Sequence, residues 1–140
     1  MNAYLDTSVL VSMFTTDAHT SRVAAWLPSA ASRLALSDWG LAEFSSALGI
    51  GVRVGRITAD ERQAAEGTLE MWLGPEQSVS PVEPDDVRMA RNLIKAASLP
   101  LRAGDAMHVA IARRLGCALA TFDIRMAEAA TELGVPLEDL

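Results

Sequence analysis

The sequence contains little cysteine and no long apolar segment. Cys117 is the only cysteine among 140 residues, so neither an internal disulfide nor a cysteine-based zinc site can form, and its apolar surroundings predict a small core residue. No apolar run approaches the ~20 residues that a membrane-spanning helix requires. The N-terminus also lacks the basic region and cleavage site of a signal peptide. We therefore expect a cytoplasmic protein that does not enter a membrane.

Lysine is also scarce, and the chain as a whole is acidic. It has 18 acidic residues against 12 basic ones and a formal net charge of −6, which at first argues against a nucleic-acid partner. All the basic residues except Lys95 are arginines, whose planar guanidinium binds phosphate in a bidentate manner. Each candidate for a phosphate contact could instead be an ordinary solvated surface residue. The candidates are Arg53, Arg56, Arg102, Arg113, Arg114 and Arg125.

The remaining composition is that of a folded domain. Half of the residues are hydrophobic, and a chain of this length can bury about two thirds of its unfolded surface in one core. We therefore expect residues 1–140 to form a single domain. Short β-prone runs alternate with helical patterns, which favours an α/β fold with a parallel sheet covered on both faces. Four strands are predicted: Asn2–Asp6, Leu34–Ser37, Val79–Val82 and Cys117–Phe122.

Seven helical segments complete the predicted alternation. Thr58 and Glu61 have the spacing of a capping box, and Gly74 and Gly134, each with a proline close behind, are typical of helix ends. The predicted helices are Ser8–Phe14, Ser21–Leu27, Asp38–Val52, Thr58–Leu73, Pro84–Ala97, Ala103–Leu115 and Ile124–Leu133.

Two acids stand where a predicted strand passes into a helix. Asp6 ends the first strand and Asp123 follows the apolar run from residue 118 to residue 122. Since the carboxyl ends of parallel strands lie at one edge of a sheet, both acids are expected at the same edge. Asp105 lies in the first turn of another helix. For Asp6 and Asp105, stabilisation of a helix N-terminus is an alternative role.

Glu43 is harder to explain as a surface residue. Its neighbours one turn away include Trp39 and Ala47, and its own helix offers few cations. Two unit negative charges ~4 Å apart repel by ~4 kcal/mol at an effective dielectric near 20, so a cluster of Asp6, Glu43, Asp105 and Asp123 requires a cation. Carboxylates without cysteine or clustered histidine suit Mg²⁺ or Mn²⁺ better than zinc.

The order of these acids resembles that of the PIN domain, and more narrowly the VapC toxins. The resemblance spans nearly the whole chain, and its most specific parts are Asp105-Ala106-Met107-His108-Val109-Ala110 and Thr121-Phe122-Asp123. It implies a parallel sheet of up to five strands and a catalytic, metal-binding site made of Asp6, Glu43, Asp105 and Asp123, with supporting hydroxyls from Ser8 and Thr121.

The resemblance also implies a function and partners. The protein would be an endoribonuclease that uses Mg²⁺ or Mn²⁺ to activate water for the hydrolysis of RNA. It would be the toxin of a type II toxin–antitoxin pair, it would bind a VapB-like antitoxin, and it would form a homodimer. His108 invites a catalytic role, but a lone histidine on a helix is more often a structural hydrogen-bonding residue.

Two other classes of function compete with this interpretation. Response-regulator receivers and haloacid-dehalogenase-like phosphatases also place aspartates at strand ends. The phosphatases need a second Asp where this chain has Ser8, and both classes use a lysine near the phosphate, whereas Lys95 lies within a helix far from any strand end. A non-catalytic RNA-binding or protein-interaction domain with the same fold is the second alternative. A domain that had lost catalysis would be expected to lack at least one of the four acids, and all four are present.

Overall fold

A computed structural model describes residues 1–75 and 79–140, and in this part of the chain the predicted alternation is confirmed. The strands are β1 (Ala3–Leu5), β2 (Leu34–Ser37), β3 (Val79–Ser80) and β4 (Ala118–Ala120). The helices are α1 (Thr7–Phe14), α2 (Thr20–Ala30), α3 (Asp38–Arg53), α4 (Ala59–Leu73), α5 (Pro84–Ala96), α6 (Ala103–Arg114) and α7 (Ile124–Glu132), and a short 3₁₀ turn occupies Ala31–Arg33.

The four strands form one parallel sheet in the order β3, β2, β1, β4. Central β1 pairs through Tyr4 with Ala35 of β2 and with Leu119 of β4. Leu137 adds an isolated parallel bridge to Leu119, so the C-terminal segment lies beside β4 as a rudimentary fifth strand. The predicted parallel sheet of four to five strands flanked by helices is confirmed.

Helices cover both faces of the sheet because successive strand residues point in opposite directions. Ala3 and Leu5 pack into a hydrophobic cluster with residues of α1 to α4, whereas Tyr4 packs into a second cluster with residues of α5 to α7. Cys117 is buried in the second cluster, as predicted.

Local signals in the sequence set several helix boundaries. The predicted capping box is present, since the Thr58 hydroxyl accepts from the Glu61 amide at 3.1 Å and the Thr58 amide donates to the Glu61 carboxylate at 2.7 Å. Gly74 ends α4 with a φ of 47°, a left-handed conformation that favours glycine. Strand β3 is shorter than predicted, because Pro81 has no amide hydrogen with which to continue the ladder. No described helix has the length and apolar character needed to cross a bilayer.

Candidate metal and nuclease site

Adjacent strands bring two of the predicted acids to one edge of the sheet. β1 and β4 are parallel neighbours, and the Asp6 amide donates to the Ala120 carbonyl at 3.1 Å just beyond their paired residues. Asp6 follows β1, and Thr121 and Asp123 follow β4. The carboxyl ends of the two strands therefore hold these side chains together, as the sequence predicted.

The Asp6 carboxylate is buried, with an exposed fraction of 1%, and is surrounded by donors. One oxygen accepts hydrogen bonds from Ser8 Oγ at 2.7 Å and the Val9 amide at 3.0 Å, and the other accepts from Thr121 Oγ1 at 2.5 Å. Burial raises the pKa of Asp6, while these three hydrogen bonds act in the opposite direction. Asp6 is thus the N-cap of α1, and the same donors hold its carboxylate in a defined orientation.

Ser8 and Thr121 connect the two strand ends. While donating to Asp6, the Ser8 hydroxyl accepts from the Phe122 amide at 2.9 Å, and the Thr121 hydroxyl accepts from the Asp123 amide at 2.9 Å. These are the two hydroxyls for which the sequence predicts a supporting role, and both contact the Asp6 carboxylate directly. They make the orientation of Asp6 depend on the backbone that carries Asp123.

Glu43 finds its partners outside its own helix. Its Oε2 accepts from the Thr7 hydroxyl at 3.0 Å and lies 2.7 Å from Nε2 of His108 on α6. The hydrogen bond to His108 lowers the pKa of Glu43, against the raising effect of burial. The sequence indicated that this carboxylate needs a partner and that a metal would suffice. In the fold, a histidine 65 residues away supplies one.

A buried chain of hydrogen bonds continues from His108 into the core. His108 Nδ1 lies 3.1 Å from the Tyr4 hydroxyl, which lies 2.7 Å from Oγ of Ser37. Ser37 Oγ in turn accepts from the Gly40 amide at 3.1 Å. One neutral tautomer satisfies every group: Ser37 donates to Tyr4, Tyr4 donates to Nδ1, and Nε2–H of His108 donates to Glu43. The chain therefore holds Glu43 as an ionised carboxylate.

Asp105 and Asp123 lie at the starts of α6 and α7. Burial raises the pKa of Asp105, and the negative charges of Asp123 and Glu43 raise it further, so both of these carboxylates lie within electrostatic reach of Asp105. Asp123 caps α7 by accepting from the Met126 amide at 3.0 Å. Asp123 is therefore the N-cap of its helix, as Asp6 is of α1.

All four acids line a single cavity of about 430 Å³ at this edge of the sheet, which is here called the acidic cavity. Thr7, Ser8 and His108 line it as well. Sequence reasoning did not identify Thr7 or Tyr4, although Thr7 directly follows Asp6 and Tyr4 lies in the strand before it.

The acids fit a hard divalent cation in kind, since carboxylate oxygens are its preferred ligands and their mutual repulsion favours a cation. The absence of a side chain at Gly104 leaves room for the Glu43 carboxylate, because a Cβ at residue 104 would lie only 2.7 Å from Oε1 of Glu43. Within residues 1–75 and 79–140, however, no three side chains of the Asp, Glu, His and Cys types are grouped closely enough to hold a metal ion. The carboxylates of the site would have to move closer together to share one ion.

Fold and site together define a class: a parallel α/β domain whose acids meet at the carboxyl edge of the sheet. The sequence profile of the PIN domain matches residues 3–132, so the chain belongs to the PIN domain family. A search of curated protein sequences gave no significant match.

Solved structures with the same fold come from several bacteria. VapC20 of Mycobacterium tuberculosis, described as a sarcin–ricin loop cleaving toxin, aligns with a TM-score of 0.72 at 19% identity, over 91% of this chain and 95% of its own. VapBC2 of Rickettsia felis, bound to a fragment of promoter DNA, aligns with a TM-score of 0.73 at 16% identity, over 100% and 99%. FitAcB of Neisseria gonorrhoeae aligns with a TM-score of 0.67 at 21% identity, over 98% and 96%.

Proposed function

We propose that this PIN domain is a Mg²⁺- or Mn²⁺-dependent endoribonuclease and the toxin of a type II toxin–antitoxin pair. The observation that carries the proposal is the convergence of Asp6, Glu43, Asp105 and Asp123 on the acidic cavity. VapC20, with the same fold, is described as a sarcin–ricin loop cleaving toxin, which supports RNA as the substrate class.

In this proposal the four carboxylates hold the cation, with Asp6 and Asp105 as its principal ligands. A bound divalent cation supplies charge neutralisation and an activated water for phosphodiester hydrolysis. Ser8 and Thr121 keep both oxygens of Asp6 oriented, and His108 and Thr7 keep Glu43 ionised and directed toward the cavity. The protein thereby arranges its charges before substrate arrives, which is the main contribution an enzyme makes to such a reaction.

Asp105→Asn is the sharpest test of the proposal. The change preserves shape but removes one negative charge, so we expect cleavage of mixed RNA to be lost in Mg²⁺ or Mn²⁺ while the circular dichroism spectrum is unchanged. Wild-type protein treated with EDTA should also be inactive. The matched control is Asp60→Asn on the exposed first turn of α4, which should retain full activity. A folded Asp105→Asn variant with wild-type turnover would refute the assignment.

A non-catalytic RNA-binding or protein-interaction domain is the second candidate. The observation that favours it is that the described side chains are not grouped for metal binding. It predicts that wild-type protein leaves RNA intact at every Mn²⁺ concentration, so the same assay separates the two functions.

The proposed antitoxin would inhibit by placing an Arg or Lys among the four acids. VapBC2 and FitAcB, which share the fold, support a toxin–antitoxin assembly. A guanidinium can pair with carboxylates bidentately, so inhibition should weaken as Mn²⁺ rises. Replacement of that basic residue by Ala should abolish inhibition; unchanged inhibition would contradict this mode of binding. The homodimer remains a prediction, to be checked by light scattering.

A further inference from the structure

A second cavity, of about 520 Å³, adjoins the acidic cavity and has a different character. The two share Asp105, Phe122, Asp123 and Met126, so they are neighbouring parts of one surface depression. Residues of the second cavity that do not line the first are Pro100, Leu101, Arg102, Ile124 and Arg125. One part of the depression is therefore rich in carboxylates, and the other is lined by two arginines and several apolar residues.

The two arginines are available to bind a ligand. Arg102 is the N-cap of α6 and Arg125 lies in the first turn of α7, and both are exposed. Among the residues the structure describes, neither forms a salt bridge or a side-chain hydrogen bond, whereas the guanidinium groups of Arg33, Arg88 and Arg114 each pair with a carboxylate. Arg114 was considered for phosphate contacts on sequence grounds, but it is bound to Glu83 and Asp86 instead.

An aromatic stack lies where the two parts of the depression adjoin, because Phe122 lines both cavities. Phe122 stacks in parallel on His19, with ring centroids 4.2 Å apart and ring planes 6° apart. Ile124, which lines the second cavity only, is exposed and offers apolar surface that suits a ribose or a base. Arginines beside an aromatic ring are typical of proteins that bind single-stranded nucleic acid.

We propose that Arg102 and Arg125 bind a phosphate of single-stranded RNA next to the phosphodiester that lies in the acidic cavity. This inference rests on the proposed ribonuclease function and specifies where its substrate runs. An acidic chain needs such a local cationic contact, because its four site carboxylates repel the RNA backbone. The arginines would also align the strand across Phe122 and so define which bond reaches the acids.

The first test measures RNA binding without catalysis. Fluorescence anisotropy with a labelled single-stranded RNA oligonucleotide in EDTA gives the association constant at a series of salt concentrations. For the Arg102→Gln/Arg125→Gln double variant we expect the magnitude of the slope of log K against log salt to fall by about 0.7, the value for one phosphate that is no longer neutralised. Substitution of both residues by Lys should restore most of the slope, because the charge is retained.

Arg113→Gln is the matched control. Arg113 is exposed on the same helix as Arg102 but roughly 16 Å away at its other end, so the slope should remain that of the wild type. If wild-type protein does not bind the oligonucleotide at low salt, or if the double variant keeps the wild-type slope, the subsite is refuted. Melting temperatures of all variants establish that each is folded.

The second test measures cleavage in Mn²⁺. We expect the double variant to raise KM for RNA about tenfold, the equivalent of roughly 1.4 kcal/mol, while Arg113→Gln leaves it unchanged. Wild-type protein that cleaves RNA but shows no difference from the double variant in KM or in salt slope would overturn the subsite alone. Wild-type protein that binds RNA through these arginines but never cleaves it would overturn the ribonuclease function and leave the subsite standing.

Discussion

Gly104→Ala tests whether Glu43 is held in a fixed position. A Cβ at residue 104 would lie 2.7 Å from Oε1 of Glu43, and contacts under about 3 Å do not persist in proteins. Glu43 cannot withdraw freely, because its other oxygen is bonded to His108 at 2.7 Å and to Thr7 at 3.0 Å. The backbone at Gly104 is also held, since its carbonyl accepts from the Trp39 indole at 3.2 Å.

The expected magnitude follows from two opposing effects. Loss of hydrogen bonds to a charged group costs about 1.5–3 kcal/mol, and alanine in place of a helical glycine returns about 0.5–1 kcal/mol, so we expect a net destabilisation of about 1–2 kcal/mol. For a domain of this size that lowers the melting temperature by about 3–6 °C. If the proposed function holds, metal-dependent cleavage should fall as well, because a displaced Glu43 no longer faces the cavity as it does in the wild type.

The assay compares thermal unfolding of four variants: Gly104→Ala, Gly67→Ala, Glu43→Ala and the Glu43→Ala/Gly104→Ala double variant. Gly67→Ala on α4 is the matched control, since its added Cβ meets no atom within 4 Å, and it should be stabilised by about 0.5–1 kcal/mol. In a Glu43→Ala background the close contact no longer exists, and Gly104→Ala should become neutral or stabilising. If Gly104→Ala stabilises the wild-type chain as Gly67→Ala does, Glu43 is not held in place as described.

Three further predictions concern other contacts. Tyr4→Phe should lower stability by about 1–3 kcal/mol, because it leaves Nδ1 of buried His108 without its donor, and chemical denaturation that shows no change would contradict the hydrogen-bonded chain. The hydrogen bond from Arg33 lowers the pKa of Glu138 in the folded protein below the unfolded value of 4.5. The pair therefore stabilises the fold fully at pH values above 4.5, and this stabilisation is lost as the pH falls through the lower pKa of the folded state. Glu138→Gln should accordingly lower the melting temperature at pH 7 but not below the folded pKa, and a deficit that persists in acid would contradict this. Millimolar Mg²⁺ or Mn²⁺ should raise the melting temperature of the wild type and less so that of Asp105→Asn; an equal rise in both would indicate binding elsewhere.

The sequence alone determined the alternation of strands and helices and the position of acids at strand ends. These properties follow from short-range physics: the period of apolar residues, the Thr58 and Glu61 capping box, and glycines after helices. Given parallel strands, the location of Asp6 and Asp123 at one edge of the sheet follows as well, because the carboxyl ends of such strands share an edge. The resemblance to the PIN domain rested on these acids and on their order along the chain.

Only the tertiary structure decided which groups contact these acids. Glu43 is bound by His108, and Tyr4 lies 104 residues from the histidine it contacts, so neither contact has a local signal. Likewise, Arg114 is paired whereas Arg102 and Arg125 lie beside the acidic cavity. Such differences depend on how α5, α6 and α7 pack against the sheet. A side chain's partners are set by distances of a few ångströms between elements, which residue order does not specify.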